Sequence, residues 1–203
     1  MQKPSIQYLL NNGGIGILPT DTLYGLVGQA LSKAAVERIY RVKGRKPTKP
    51  LIILIGAVSD IQKFGVPRKI IQEHIKILSG LWPGKVSVIL PVGKENQKKF
   101  RYLHRGTNSL AFRLPRKKNL QALLKKTGPL VAPSANPEGL TPAETVREAK
   151  KYFNDSVDFY IPEGRKKGKP SVLVSLATKK PAVLRGELPK KLISLVEKKG
   201  EAH

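Results

Sequence analysis

Residues Lys43-Gly44-Arg45-Lys46-Pro47-Thr48-Lys49-Pro50-Leu51-Ile52-Ile53-Leu54-Ile55 lead from a helix end, through a proline-broken basic segment, into an unbroken aliphatic run. Upstream, Ser32 is placed to cap a helix whose Ala35, Val36, Ile39, Tyr40 and Val42 recur near helical spacing. Pro47 and Pro50 disfavour continuation of that helix, because each removes a donor and restricts the residue before it. Leu51 to Ile55 lacks the polar alternation of a half-exposed strand and reads as one covered on both faces. Helices packed on a sheet give the α/β class.

The same reading extends outward. Gly14 to Pro19 is a short buried strand, and Thr20-Asp21-Thr22 a polar turn before a second apolar piece ending near Leu26. Ile70, Ile71, His74, Ile75 and Leu78 predict one face of a helix ending near Gly80, with His74 packed in the core. Strands are expected at Val86 to Leu90, Leu110 to Leu114 and Leu130 to Ala132, with a helix at Leu120 to Lys126. Thr141-Pro142-Ala143-Glu144 has the form of a helix start, with capping threonine, first-turn proline and a glutamate to complete a capping box. That helix should run to about Phe153. Strands near 158–161, 171–176 and 182–184 and a short helix from Pro189 complete the expectation. The result is a single α/β domain over 1–203, with a mixed sheet, flanking helices, a core from about 6 to 186 and a short C-terminal helix and tail.

Composition narrows the function. The 203 residues hold 38 Lys and Arg against 14 Asp and Glu, a formal net charge of +24, and are 40% hydrophobic, enough for a real core. Such a field attracts nucleotides, nucleic acid or an anionic membrane surface. No cysteine is present, which excludes disulfides and thiolate chemistry. The N-terminus lacks the apolar stretch of a signal peptide, and no apolar run approaches membrane-spanning length. A soluble, cytoplasmic protein with no membrane partner is expected.

Several clusters could carry chemistry, each with a plainer alternative. Lys43, Arg45, Lys46 and Lys49 offer cations for phosphate or carboxylate, or form a solvated basic loop. Ser134 and Asn136 are hydrogen-bonding residues after a strand, or simple loop formers. Arg113 lies within an apolar strand and needs a paired anion or a ligand carboxylate. Thr20, Asp21 and Thr22 make an ordinary turn, or supply hydroxyls at a strand end where open sheets place ligands. Residues 98–105 interleave basic and aromatic side chains, as base-stacking surfaces do, but a charged solvent face explains them at least as well. His104 and His203 have no partners at metal-ligand spacing, so no protein metal site is expected. Walker, Gly-x-Ser-x-Gly and dinucleotide motifs are lacking.

Six strings, taken in order, carry a resemblance: Leu18 to Leu26, Lys43 to Leu51, Leu81-Trp82-Pro83-Gly84, Ser109 to Pro115, Ala132-Pro133-Ser134-Ala135-Asn136 and Val183-Leu184-Arg185. With these the chain resembles the YrdC/TsaC family, the L-threonylcarbamoyladenylate synthases. The resemblance implies a twisted α/β fold around a basic cavity, in the short, single-domain form. It implies a reaction in which L-threonine, bicarbonate and ATP give threonylcarbamoyl-AMP and pyrophosphate. Mg²⁺ would accompany ATP, with no permanent protein-bound cofactor. By the same resemblance Thr22, Arg113, Ala132 and Ser171 would contact threonine, and Arg45, Lys49, Ser109, Ser134, Pro142 and Arg185 would line the ATP site. Lys43, Arg45, Ser134 and Asn136 would form the catalytic Lys-x-Arg and Ser-x-Asn pair. The implied partners are downstream threonylcarbamoyl-transferase proteins and tRNA, whose adenosine receives the N6-threonylcarbamoyl group.

The chain also departs from the family pattern. Pro137-Glu138-Gly139 stands where a Leu-Ser-Gly-like continuation is common, which puts an acid near the expected nucleotide pocket. Ser171 to Ser175 replaces a more usual Ser-Thr-hydrophobic-hydrophobic-Asp, and Leu54 replaces a histidine of some longer members. The rival class is a non-catalytic RNA-binding protein with a basic concave surface. A third reading, a carbamoyl-transferring module like that of hydrogenase-maturation proteins, belongs to much longer chains.

Overall fold

The computed structural model describes residues 4–178, 181–188 and 192–193. Its strands are β1 (Gly16–Pro19), β2 (Tyr24–Gln29), β3 (Ile52–Leu54), β4 (Val86–Pro91), β5 (Ser109–Arg113), β6 (Leu130–Val131), β7 (Phe159–Tyr160), β8 (Val172–Ser175) and β9 (Ala182–Arg185). They form one mixed sheet in the order β7-β1-β2-β6-β3-β5-β4-β8-β9. β3 sits centrally, parallel to β5 and antiparallel to β6. The helices are α1 (Ile6–Asn11), α2 (Lys33–Lys43), α3 (Arg68–Glu73), α4 (Ile75–Leu81), α5 (Lys94–Gln97), α6 (Arg101–His104), α7 (Lys118–Thr127) and α8 (Val146–Phe153).

Period-two alternation divides the core between the two faces of the sheet. Ile17, Leu26, Ile53 and Val131 point into the larger cluster, which takes Val36 and Ile39 from α2. Leu18, Val27, Leu54 and Leu130 point the other way, onto Leu10 of α1 and Leu120 and Leu124 of α7. Double coverage accounts for the unbroken aliphatic run, since both sets of side chains leave water. Each fully buried aliphatic side chain contributes about 1.5–3 kcal/mol.

Ser32 caps α2 as expected, its hydroxyl accepting from the Ala35 N–H at 3.2 Å. Two local expectations are corrected, and one open alternative is decided. The helix predicted over 70–78 is broken at His74, whose backbone (φ −105°, ψ 6°) separates α3 from α4. The break shifts the helical phase, so Ile71, Ile77, Leu78 and Leu81 are buried while Ile75 is 43% exposed and His74 lies at the margin. Packing against the core chooses the phase, which periodicity alone had placed one step off.

The second correction is at α8. Residues 141–145 stay non-helical because the Ala143 N–H is spent on the Ala135 carbonyl at 3.0 Å. The cap is Thr145, which accepts from the Glu148 N–H at 3.1 Å, so the Thr-x-x-Glu pattern is used one repeat later.

The open alternative concerns residues 98–105, where Lys98, Lys99 and Arg101 are exposed and the aromatics turn inward. Phe100 is buried with its ring 5.8 Å from that of Phe64, and the Tyr102 hydroxyl donates to the Ala30 carbonyl. This segment is core with basic neighbours, and no stacking platform is exposed. The helix expected from Pro189 and His203 lie outside the described residues, apart from 192–193. Among the described residues no helix is long and apolar enough to cross a membrane.

Candidate active site

β5 shows how the site is built. Ser109, Ala111 and Arg113 fall on one face of the strand and line a cavity of about 390 Å³. Leu110 and Phe112 take the opposite face, where the Phe112 ring lies 5.5 Å from Phe64. The arginine that looked misplaced in an apolar strand is therefore a cavity residue whose strand neighbours pack behind it. The same cavity is lined by Thr22, Arg45, Ile52, Ile89, Ala132, Ser134, Ser171, Leu173 and Arg185, among others.

Arg113 is 4% exposed. Its Nη1 donates to the Thr22 hydroxyl at 3.0 Å, and its Nη2 lies 3.2 Å from Asp21 Oδ1 as an ion pair. That contact is off the hydrogen-bonding direction, and both Arg113 Nε and Asp21 Oδ1 are buried without a hydrogen-bond partner. Asp21 Oδ2 accepts from the Arg116 N–H. Burial lowers the Arg113 pKa, the Asp21 carboxylate opposes this, and the charge of Arg185 adds to it. A buried cation so incompletely paired is a strong place for a carboxylate. Thr22 is aimed by its turn: the Thr20 hydroxyl donates to the Leu23 carbonyl and accepts from the Thr22 and Leu23 N–H groups.

Arg185 reaches the cavity from β9 and donates to the Ser171 carbonyl at 2.9 Å, while the Ser171 and Ser87 hydroxyls meet at 2.9 Å. Burial lowers the Arg185 pKa, and the charge of Arg45 adds to the effect. Arg45, Arg113 and Arg185 thus form a chain of mutually repelling cations. An anion bound between them would relieve that repulsion.

Arg45 follows Gly44, whose left-handed backbone (φ +59°) closes α2 without the penalty a Cβ would add. Its guanidinium folds back onto its own loop, Nε donating to the Lys49 carbonyl at 3.0 Å and Nη2 to that of Pro50 at 2.9 Å. The Tyr40 hydroxyl also donates to the Lys49 carbonyl. The basic loop is thereby pinned at the entrance of β3.

Ser134 is held by an extension of β6 beside β2: the Leu26 N–H bonds to the Pro133 carbonyl and the Ala135 N–H to that of Tyr24, both at 2.9 Å. Its hydroxyl donates to Asn136 Oδ1 at 2.6 Å. Behind this wall lies Lys43, only 2% exposed at the end of α2. Its ammonium donates to the Ser134 carbonyl (2.7 Å), the Asn136 carbonyl (2.5 Å) and Asn136 Oδ1 (3.1 Å). Burial lowers the Lys43 pKa to about 8, with Arg45 adding to the shift and Glu138 opposing it. The Lys-x-Arg and Ser-x-Asn strings are therefore stitched together from behind.

Of the residues expected in the site, Thr22, Arg45, Ser109, Arg113, Ala132, Ser134, Ser171 and Arg185 line the cavity. Lys43, Lys49, Asn136 and Pro142 are not among its lining residues. Lys43 and Asn136 brace the wall, while Lys49 lies half-exposed at the loop and pairs with Glu138. The sequence reading missed Thr107, Tyr24 and Leu173. Tyr24 has a recognisable role: its buried ring carries a hydroxyl that donates to the Gly164 carbonyl and accepts the Glu163 N–H, both at 2.8 Å. This anchors the basic segment 163–169 across the site. A Cβ on Gly168 would come 2.2 Å from the Thr22 carbonyl, so the segment crosses Thr22 closely enough to need glycine.

The hydroxyls here bond to each other, to amides or to arginine, and none to an imidazole or a side-chain carboxylate. The arrangement can position and neutralise anions, and it contains no activated nucleophile. The nearby acids Asp21 and Glu138 are committed to Arg113 and Lys49, and no cluster of three or more metal-ligating side chains occurs among the described residues.

Residues 8–186 match the family Sua5_yciO_yrdC, described as telomere recombination. The threonylcarbamoyl-AMP synthase of Methylobacillus flagellatus is 31% identical over 181 residues, covering 88% of this chain and 97% of the relative. Among solved structures, Pyrococcus abyssi Sua5 complexed with L-threonine is similar at a TM-score of 0.81 and 29% identity, over 94% of this chain. The chain spans only 55% of that longer protein. Escherichia coli YciO matches at a TM-score of 0.74 and 25% identity, over 88% of this chain and 85% of its own.

Proposed function

The chain belongs to the Sua5/YciO/YrdC family, and from that premise we propose that it is a threonylcarbamoyl-AMP synthase. It joins L-threonine, bicarbonate and ATP into threonylcarbamoyl-AMP, releasing pyrophosphate and water. The observation that carries this reading is Arg113, a buried guanidinium that lines a cavity of about 390 Å³ beside the Thr22 hydroxyl and whose Nε has no hydrogen-bond partner. Such a group suits the carboxylate of an amino acid, and the adjoining hydroxyl suits its polar end. Arg45, Ser109, Ser134 and Arg185 supply the polyphosphate side.

The chemistry asks for positioning more than for proton transfer. Threonine's neutral amine captures carbon dioxide or bicarbonate as an N-carboxylate. An oxygen of that carboxylate forms a bond to the α-phosphorus as the bond to pyrophosphate breaks. Two anions must meet, so fixed cations lower the barrier by countering their repulsion and the charge developing on the leaving group. Arg113 orients threonine, Arg45 and Arg185 counter phosphate charge, and Lys43 with Asn136 keeps Ser134 in place. Mg²⁺ enters with ATP as part of the substrate, since the acids beside the cavity are already committed to cations. The product is suited to a transferase acting on tRNA adenosine.

The test is to supply ATP, Mg²⁺, threonine and bicarbonate and to measure pyrophosphate and threonylcarbamoyl-AMP together. Pyrophosphate release that ignores threonine or bicarbonate would sink the reading. Arg113→Ala should lower turnover by about a hundredfold or more with an unchanged circular dichroism spectrum, the scale of losing a fixed charge-stabilising donor. An active Arg113→Ala enzyme would remove Arg113 from the threonine site.

A further inference from the structure

Glu138 is an acid set against the basic Lys43–Lys49 segment, and its setting is built. One carboxylate oxygen accepts the Lys46 backbone N–H and the other pairs with the Lys49 ammonium. Its own N–H bonds to the Lys43 carbonyl at 2.8 Å. Asn136 Nδ2 donates to the carbonyls of Pro137 (2.8 Å) and Leu140 (2.6 Å), fixing the turn that carries Glu138. The glutamate side chain is 20% exposed and the lysine's 52%, so the turn sets the pairing and not a surface lysine's choice of acid.

A main-chain N–H beside an ammonium is the donor set that a phosphate oxygen seeks. Here that cradle adjoins Arg45, which lines the cavity and holds the Lys49 carbonyl. Taking the cavity as a nucleotide site, on the reading above, we propose that Glu138 is a specificity-determining residue that competes with the polyphosphate of the substrate for the Lys46 N–H and the Lys49 ammonium. Polyphosphate displaces the carboxylate as it enters, and the carboxylate returns as pyrophosphate leaves, so the cations never face each other unpaired. On a chain of net charge +24 the same contact rejects adventitious anions. The two donors hold the Glu138 carboxyl below its ordinary pKa, so the competitor is ionised at neutral pH.

Titration calorimetry with inorganic tripolyphosphate reads the cradle without catalysis, and AMP serves as the control that lacks the β and γ phosphates. In Glu138→Gln and Glu138→Ala, tripolyphosphate and pyrophosphate should bind about tenfold tighter, the scale of one charge-assisted contact, with AMP unchanged. Glu138→Gln keeps the shape and an acceptor for Lys46, and decides the matter if the alanine variant folds poorly. Polyphosphate affinity that is unchanged or weaker in the glutamine variant overturns the proposal, since Glu138 would then be a strut for Lys49. Equal tightening of AMP overturns it too, as a general charge effect. A wild-type protein that does not bind ATP, yet shows the tripolyphosphate change, would refute the nucleotide reading and leave the competition intact. Normal turnover with no polyphosphate change would do the reverse.

Discussion

Lys43 has three oxygen acceptors around its ammonium and almost no contact with water. Those acceptors favour the charged form, burial and Arg45 disfavour it, and the outcome is a pKa near 8 against an ordinary 10.5. The unfolded chain therefore holds this proton more tightly than the folded one. The contribution to stability is fully present above pH 10.5 and is lost as pH falls through about 8. Wild type should thus gain stability relative to Lys43→Met as pH rises from 8 to 10, read as the difference in urea midpoints. A pH-independent difference would mean that Lys43 titrates normally. At this scale the sequence showed the residue types, and Arg113 could be singled out as a cation needing an anion. It could not show that Asp21 pairs with Arg113 incompletely, because that depends on the angle between a turn and a strand far apart in the chain.

Elements were legible wherever one physical signal dominated. The run 51–55 and the Ser32 cap both follow from side-chain period and capping chemistry. Where two signals competed, packing chose. Thr141-x-x-Glu144 and Thr145-x-x-Glu148 offer equivalent helix starts, and the bond between Ala143 and Ala135 removes the first. Thr145→Ala should cost about 1 kcal/mol, the value of a lost N-cap. Thr141→Ala should stay within about 0.5 kcal/mol, as for an exposed substitution away from special features. Chemical denaturation of the two variants checks this, and equal losses would return the cap to Thr141. The phase slip at His74 belongs to the same class, since helical periodicity tolerates two neighbouring faces until a sheet selects one.

For the whole molecule, the excess of 24 positive charges acts at long range, whereas Arg113 acts at contact distance. Salt separates them: raising ionic strength from about 0.05 to 0.5 M shortens the screening length severalfold, while a buried pair is screened much less. The KM for ATP should rise several-fold over that range and the KM for zwitterionic threonine should change by less than twofold. Parallel changes in both would show that threonine is also held by the diffuse field. The same division explains residues 98–105, which the sequence left open between a base-stacking surface and a charged solvent face. Phe100 is buried against Phe64 and Tyr102 packs half-buried against the same core, while Lys98, Lys99 and Arg101 reach solvent.

By itself the sequence determined the α/β class and the buried strand at 51–55, because those rest on local period and residue chemistry, while the site residues were given their roles by family resemblance alone. Tertiary structure alone decided which cations face the cavity and which brace it. Lys43 and Arg45 are two residues apart, yet the end of α2 sends one into a wall of carbonyls and the other to the site. It also decided what Glu138 does. An acid after Asn136 is only a departure in a string until the Lys46–Lys49 turn is folded against it. Long-range pairing of that kind has no local signature, since it is set by where two loops meet.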